Sequence, residues 1–328
     1  MTDPSGMLDD VLAQPHQYED AIWRTESAGI KRSEYARGVV ICGMGGSAIG
    51  ADLAAAAIGL RAQAPITTVR GYELPDWIES DTLVVCASYS GNTEETLHCF
   101  EHAGDKGAPR VVVTTGGNLA EMARAAGDVP VIGVPSGMQP RAAVVYGTVT
   151  SLLCAELAGA SPSLRSEIEE AAGVAREIVD DHEEAKQLAQ AIGDRIPVVY
   201  GGPTSIAAAR RWRGQFNENA KRPAFFGDLP EAHHNEVVGW YHAADRLFAL
   251  ILETDHDHDR IGRRLDVTED VMRDAGVEAH RVRARGKSPV AQVMSLVLLG
   301  DLASVYLAVL RGIDPTPVDE IEGLKKRL

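Results

Sequence analysis

Short apolar runs alternate with amphipathic or alanine-rich stretches along the first half of the chain, and small residues separate the two. Apolar runs of this length, rich in β-branched residues, are typical of buried strands. We predict four such strands, at residues 38–44, 82–90, 109–117 and 128–135. Helices are predicted at 51–60, 92–104 and 118–127. Strands that alternate with helices in this way predict a parallel sheet.

The same order returns in the second half. The segment IPVVYGGPTSIAAARRWRGQFNENAK (196–221) repeats a strand, a glycine pair, small hydroxyl residues and an alanine-rich helix. This pattern indicates a degenerate internal repeat. Further strands are predicted at 245–254 and 277–285, and helices at 256–276, at 288–312 and at the C-terminal end.

A highly charged helical stretch, 161–196, lies between the two halves. The chain of 328 residues also exceeds what one hydrophobic core usually organises. We therefore predict an α/β protein with two doubly wound domains, each a parallel sheet flanked by helices. The N-terminal domain is expected at 1–160, a helical bridge at 161–195 and the C-terminal domain at 196–328.

The composition limits the possible partners. Apolar residues make up 45% and charged residues 24% of the chain, and no run reaches the roughly 20 apolar residues of a membrane span. The acidic start MTDPSGMLDDVLAQ lacks the basic and then apolar pattern of a secretory signal, so we expect mature sequence in a cytoplasmic protein. The net charge of −15 argues against nucleic-acid binding, which needs a basic surface. The four cysteines are expected to be small core residues.

The stretch VVICGMGGSAIGADL (39–53) places four glycines in eight positions directly after a predicted strand. Ligands of an open parallel sheet bind at the carboxyl ends of its strands, where glycine turns bring backbone N–H groups to a helix N-terminus. These glycines allow a sharp turn and close packing at Gly43, Gly45, Gly46 and Gly50. Ser47 adds a hydroxyl at the helix start. A dinucleotide-binding fold is the rival interpretation, because the turn approaches G-x-G-x-x-G with Ala48 at the last place.

A second loop favours a phosphate ligand over a dinucleotide. SYSGNTEET (88–96) concentrates three hydroxyl side chains at the end of a predicted strand and ahead of a helix. Hydroxyl and helix-terminal N–H groups bind a phosphomonoester without a lysine, which suits an acidic chain. Residues 62–72 also lack the acidic residue that a dinucleotide fold places after its second strand. We therefore predict that the phosphate binds to Ser47, Ser88, Ser90 and Thr93.

These motifs resemble those of a known family. GMGGSAIG (43–50) and SYSGNTEET are similar to the sugar isomerase (SIS) domain, a flavodoxin-like phosphosugar-binding fold. The two tandem copies, FNENAKRPAFFGDLPEAHHNEVVGW (216–240) and the ending DPTPVDEIEGLKKRL (314–328) resemble the bifunctional phosphoglucose/phosphomannose isomerase family. The resemblance covers essentially the whole chain. It implies two SIS domains and an aldose–ketose isomerase that interconverts glucose 6-phosphate and mannose 6-phosphate with fructose 6-phosphate through a cis-enediol.

The resemblance also implies the residues that move protons. Glu218 matches the base that transfers a proton between C2 and C1 of the sugar. His234, sixteen residues later, matches a histidine that assists ring opening from the neighbouring subunit of a homodimer. His233 stands where the family pattern has an asparagine, so both histidines are candidates for the imidazole that faces the sugar.

Four further positions complete the implied site. Arg141 in MQPRAAVVY matches the arginine that stabilises the enediolate. Lys325 matches a lysine that assists ring opening, and the adjacent Lys326 is an alternative. Thr316 is the nearest match to a small threonine that leaves room for rotation about C2–C3, and Gly46 is expected to contact the substrate.

The implied chemistry needs neither a metal nor another cofactor. His256 and His258 in TDHDHD are more typical of a solvated loop than of a metal site. A non-catalytic sugar-phosphate sensor would keep the hydroxyl loop but would have no use for the three proposed catalytic residues together. An aminosugar-phosphate isomerase or synthase would normally bring a glutaminase domain with an N-terminal cysteine, and position 2 is threonine. The enzyme interpretation is therefore favoured.

Overall fold

The structure is a computed structural model of the chain, and it describes residues 3–242, 244–325 and 327. The chain divides into two compact units. The N-terminal unit contains residues 13–173 and 287–291, and the C-terminal unit contains the described parts of 1–12, 174–286 and 292–328. The domain boundaries at residues 160 and 195 stay a prediction.

The N-terminal unit is a parallel sheet flanked by helices. The first helix of the chain, α1 (Met7–Leu12), belongs to the C-terminal unit. The elements that follow it are α2 (Gln14–Ser27), β1 (Val39–Cys42), α3 (Gly45–Ile58), β2 (Ile66–Val69), β3 (Leu83–Ala87), α4 (Glu94–Asp105), β4 (Arg110–Thr114), α5 (Gly117–Ala126), β5 (Val131–Gly133) and α6 (Val144–Leu157). The strands form one parallel sheet in the order β2-β1-β3-β4-β5. This is the flavodoxin-like order.

The C-terminal unit repeats this arrangement. Helix α7 (Arg165–Asp180) leads into it, followed by α8 (Glu183–Ile192), β6 (Ile196–Gly201), α9 (Ile206–Glu218), β7 (Phe225–Asp228), β8 (Leu247–Glu253), α10 (Asp259–Asp274), β9 (Ala279–Arg283), α11 (Pro289–Leu310) and α12 (Asp319–Lys325). Its strands are parallel in the order β7-β6-β8-β9, which corresponds to β2-β1-β3-β4 of the first sheet. The prediction of two doubly wound flavodoxin-like domains is confirmed.

Two edge strands escape the sequence pattern. All four residues of β2, ITTV, are only half-buried, and β7 combines an exposed Phe225 with a glycine and an aspartate. Each pairs with a single neighbour, so it lacks the continuous apolar run of a central strand. The prediction of four strands before residue 136 is therefore wrong, because β2 adds a fifth.

Helix α11 is long and apolar. Among the described residues it is the one helix that could cross a membrane by length and composition, with 22 residues and a mean hydropathy of 2.1 over an 18-residue window. In this structure 89% of that window is buried. A buried core helix meets the same criteria, so α11 is weak evidence for a membrane span. The buried helix predicted for 288–312 is confirmed.

Helix α9 packs closely against α11 through one large side chain. The indole N–H of Trp212 donates to the carbonyl oxygen of Leu296 at 2.7 Å. A Cβ atom on Gly300 would lie 2.2 Å from Nε1 of Trp212, much closer than atoms can approach. Gly300 therefore makes the room that the fully buried Trp212 occupies.

Candidate active site

The glycine-rich turn between β1 and α3 lies against a 3-10 helix, Pro140–Ala143. A Cβ atom on Gly46 would lie 3.1 Å from the carbonyl oxygen of Pro140 and 3.6 Å from Cα of Arg141. The missing side chain thus lets the turn approach the backbone of Arg141. Within the N-terminal unit, the structure brings together three of the predicted site residues, Gly46, Ser47 and Arg141.

Arg141 is a cation at a buried position. Only 4% of its surface is exposed, and Nη1 donates to Oε1 of Gln139 at 3.4 Å. Pro140 begins the 3-10 helix that carries it, because the proline ring fixes φ and needs no N–H partner. A guanidinium that stays ionised and is shielded from water is suited to stabilising an anion.

The hydroxyl loop after β3 is shaped by Ser88. This side chain is buried, and its Oγ accepts the backbone N–H groups of Gly91 at 3.1 Å and Thr93 at 3.4 Å. The same Oγ lies 2.8 Å from Oγ1 of Thr93, which is the residue that precedes α4. Ser90 instead is exposed, and its Oγ accepts the N–H of Asn92 at 3.2 Å. Ser88 therefore supports the loop, while Ser90 faces solvent at its rim.

The hydroxyl loop is held by a second loop that follows β4. Gly91 has φ +70°, and a Cβ atom there would lie 1.8 Å from the carbonyl oxygen of Gly116. The N–H of Leu119 donates to the carbonyl oxygen of Gly91 at 2.9 Å, and that of Asn118 donates to Oδ1 of Asn92 at 3.0 Å. Sequence reasoning missed this support. The segment TTGGN (114–118), which again places hydroxyls and glycines after a strand, is the signal that indicates it.

A shallow cleft opens at the carboxyl ends of the N-terminal strands, where ligands of parallel sheets bind. Its lining includes Gly46, Ser47 and Tyr89. The hydroxyl of Tyr89 donates to the carbonyl oxygen of Pro135 at 3.0 Å and accepts the N–H of Met138 at 3.3 Å. Tyr89, another residue that sequence reasoning missed, therefore ties the hydroxyl loop to the segment before Arg141.

A carboxylate lies at the corresponding strand ends of the C-terminal unit. Oδ1 of Asp257 accepts the N–H of Thr204 at 2.9 Å, and Oδ2 accepts the hydroxyl of Thr254 at 3.1 Å. Thr204 lies in the turn between β6 and α9, the counterpart of the glycine-rich turn between β1 and α3. The loop after β8 thus carries an acidic residue where the loop after β3 carries hydroxyl groups.

The histidines near Asp257 do not form a metal centre with it. Nδ1 of His258 accepts the N–H of Arg260 at 3.0 Å and so caps α10. Within the described ranges, no group of three or more His, Cys, Asp or Glu side chains is arranged to hold a metal ion.

Glu218 is the last residue of α9 and is half-buried. Besides Trp212, two polar contacts fix this helix on α11. Arg211 and Asp301 form a buried ion pair with N–O distances of 2.9 and 2.7 Å. Directly after the helix, Nδ2 of the fully buried Asn219 donates to Oγ of Ser304 at 2.8 Å. The backbone at Glu218 is therefore fixed to α11 through the residue that follows it, Asn219.

The two neighbouring histidines have different surroundings. An N–H of Arg264 donates to Nδ1 of His233 at 3.0 Å, and Nε2 of His233 lies 2.6 Å from Oγ1 of Thr268. Because a guanidinium only donates, Nδ1 is the acceptor, and because the Thr268 hydroxyl donates to the Arg264 carbonyl, Nε2–H donates to Thr268. Burial, and then the charge of Arg264, lower the pKa of His233. His233 is thus held neutral against α10, whereas His234 is exposed.

The segment after His234 is anchored to the sheet. The buried hydroxyl of Tyr200, on β6, donates to Oε2 of Glu236 at 2.7 Å and accepts the indole N–H of Trp240 at 3.2 Å. Burial, and then the Glu236 carboxylate, raise the pKa of Tyr200 well above its ordinary value. His234 therefore lies between two anchored neighbours, His233 and Glu236.

Lys221 joins the end of α9 to the segment that carries Thr316. Its Nζ donates to the carbonyl oxygen of Glu218 at 2.6 Å and to that of Pro315 at 3.1 Å. The N–H of Thr316 donates to Oδ1 of Asp314 at 3.0 Å. Within the C-terminal unit, Glu218 and Thr316 thus belong to segments that are held together.

The predicted lysine lies at the end of the chain. Lys325 is exposed and is the last residue of α12. The alternative, Lys326, lies outside the described residues.

Comparisons with known proteins agree with the resemblance. Residues 181–328 match a family model described as the bacterial phospho-glucose isomerase C-terminal SIS domain. The chain is 37% identical to a bifunctional phosphoglucose/phosphomannose isomerase of Caldicellulosiruptor bescii, over 98% of each protein. It is 39% identical to one of Aquifex aeolicus, over 89% of this chain and 90% of that protein.

A solved structure extends the comparison to the fold. Tagatose-6-phosphate ketose/aldose isomerase of Escherichia coli matches with a TM-score of 0.72 at 14% identity, over 95% of each chain. At such low identity the likeness shows a common fold, and it agrees with the duplicated parallel sheets.

Proposed function

The chain belongs to the bifunctional phosphoglucose/phosphomannose isomerase family, and from this premise we propose that this sugar-phosphate isomerase interconverts glucose 6-phosphate and mannose 6-phosphate with fructose 6-phosphate. The observation that carries the proposal is the hydroxyl loop of Ser88 and Ser90 ahead of α4. Hydroxyl groups at a helix N-terminus suit a phosphomonoester, and they allow an acidic chain to bind one locally.

The phosphate would be bound by the hydroxyl groups of Ser47, Ser90 and Thr93 and by the N–H groups at the N-terminus of α4. Ser88, whose buried Oγ accepts the N–H groups of Gly91 and Thr93, would hold the loop in the shape that binds the phosphate. Ring opening needs a proton donor and acceptor, the roles we assign to His234 and Lys325. Glu218 then removes the proton at C2 and returns it at C1, while Arg141 stabilises the negative charge of the enediolate.

Both aldose substrates lead to one intermediate. Glucose 6-phosphate and mannose 6-phosphate differ only at C2, so removal of the C2 proton gives the same cis-enediol from either. A single base serves both if the enediol can turn about C2–C3 before it is protonated again. We assign the space for that rotation to the small side chain of Thr316, and a contact along the sugar to Gly46.

We propose further that the protein acts in the cytoplasm as a homodimer in which His234 of one copy completes the site of the other. His234 is exposed although its neighbours are anchored. Val238 and Tyr241, which follow it, expose 73% and 55% of their surfaces. Exposed apolar side chains of this kind are common in protein interfaces.

The activity is tested by measuring fructose 6-phosphate formation by EDTA-treated protein from each sugar phosphate in parallel. Comparable turnover of both is the expected result. Turnover of glucose 6-phosphate alone would contradict the role assigned to Thr316. Turnover of neither sugar would favour a non-catalytic sugar-phosphate sensor. Glucosamine 6-phosphate as a third substrate tests the aminosugar alternative.

The shared site is tested by mixing two inactive variants, Glu218→Gln and His234→Ala. If the site combines residues of two copies, subunit exchange produces one intact site per mixed dimer, and part of the activity returns. A mixture that stays inactive after exchange would contradict the proposed sharing.

A further inference from the structure

Lys221 has an unusual backbone for a lysine. Its φ of +48° lies in the left-handed region, and among the described residues it is the one residue other than glycine with a positive φ. A side chain at such a φ crowds its own backbone, so glycine or asparagine is favoured there. Residues in this conformation persist where the surrounding structure holds them, and they are frequent at functional sites.

The side chain of Lys221 makes two hydrogen bonds that a glycine could not make. Nζ donates to the carbonyl oxygen of Glu218, three residues earlier, and to that of Pro315, which is 94 residues away. The Glu218 carbonyl belongs to the last turn of α9, where carbonyl groups lack helical partners and favour a cation. An ammonium group has three donors, so one lysine can bind both carbonyls.

These two contacts join the proposed base to the proposed specificity segment. Glu218 supplies one carbonyl itself, and Pro315 directly precedes Thr316, whose N–H is held by Asp314. We infer that Lys221 is a positioning residue that fixes the end of α9 against the segment 314–316. This inference rests on the proposed function for its effect on catalysis, but the link itself is a property of the fold.

Three replacements of Lys221 separate positioning from general stability. Lys221→Gly and Lys221→Asn suit the left-handed backbone but remove the ammonium group, and Lys221→Arg keeps a cationic donor. We expect the glycine and asparagine variants to stay folded while kcat falls on the order of 10- to 100-fold, as is typical of a misplaced catalytic group. KM should change much less, because the phosphate loop is untouched. The arginine variant should recover part of kcat.

The ratio of the two activities is the most specific kinetic readout. Since the segment 314–316 is the proposed location of the space for C2–C3 rotation, loosening it should change kcat for mannose 6-phosphate relative to that for glucose 6-phosphate. A purely structural role would lower both equally. Lys31→Gly, at an exposed loop lysine, is the matched control and should change neither kcat nor the ratio.

Amide hydrogen exchange tests the link without reference to catalysis. In Lys221→Gly and Lys221→Asn, the amides of residues 314–318 should exchange faster than in the unchanged protein, and in Lys31→Gly they should not. Unchanged exchange, or unchanged kcat with an unchanged ratio, would overturn the inference. If the unchanged protein isomerises neither sugar, the proposed function fails, and the exchange measurement alone decides whether Lys221 holds the segment.

Discussion

Arg211 on α9 and Asp301 on α11 form a two-point ion pair in which the side chains are 3% and 0% exposed. Two charges this deeply buried are tolerable only together, because each alone would lose its hydration without compensation. The pair holds the helix that ends at Glu218. The orientation of the proposed base therefore depends on an ion pair earlier in the same helix.

Asp301→Ala should lower the free energy of unfolding by about 3–5 kcal/mol, the usual cost of leaving a buried charge without its partner. Urea denaturation measures it. The control is the double variant Arg211→Met with Asp301→Leu, which removes both charges, and it should lie much nearer the unchanged protein. A single variant no less stable than the double one would contradict the buried-charge explanation.

Glu218→Gln should lower turnover by roughly 10²–10⁴-fold, the usual contribution of a general base, because the amide cannot accept the C2 proton. Sugar-phosphate binding, measured by calorimetry, should be nearly unchanged. Glu121→Gln on the exposed face of α5 is the matched control and should retain full turnover. Loss of binding with turnover preserved would refute the role of Glu218.

Ser88→Ala and Ser90→Ala should have different effects, although both serines lie in one loop. Oγ of Ser88 is buried and accepts two backbone N–H groups, so its removal should cost about 1–3 kcal/mol of stability. Ser90 is exposed, and its removal should leave stability within roughly 0.5 kcal/mol. KM for glucose 6-phosphate should rise in both. Thermal melting and kinetics on the same preparations check the difference, and equal melting temperatures would count against it.

The lowered pKa of His233 predicts a stability that depends on pH. The unfolded chain binds a proton at this histidine near pH 6.5, while the folded protein resists it until lower pH. The neutral His233 therefore stabilises the folded protein above pH 6.5, and this stabilisation is lost as the pH falls towards the pKa that His233 has in the folded protein. His233→Gln should flatten the decline in melting temperature between pH 7.5 and 5 relative to that of the unchanged protein. Identical slopes would contradict the neutral state assigned to His233.

Central strands are predictable from the sequence because their surroundings are uniform. Every residue of β1 and β3 is buried, so VVIC and LVVCA are apolar throughout and stand out from the flanking glycines and serines. Strands β2 and β7 lie at sheet edges, where half-exposed threonine or glycine is tolerated. Local composition alone does not separate such segments from loops.

The site is predictable where its residues are neighbours in sequence. Ser88, Ser90 and Thr93 occupy one loop, and their shared hydroxyl chemistry is visible in six residues. Supporting contacts join distant segments instead: Arg211 and Asp301 are 90 residues apart, and Lys221 and Pro315 are 94 apart. No spacing rule predicts such pairs, because packing of α9 on α11 and the path of the chain after α11 bring them together.

Asp257 makes the two repeats different at the strand ends where a ligand would bind. Its carboxylate already occupies the N–H of Thr204 and the hydroxyl of Thr254 at the strand ends of the second repeat, so that repeat contains its own anion. A phosphate arriving there would meet repulsion and would find these donors taken. Each chain should accordingly saturate with one equivalent of sugar phosphate. On this expectation the second repeat binds no phosphate of its own, and its role is to carry and position Glu218.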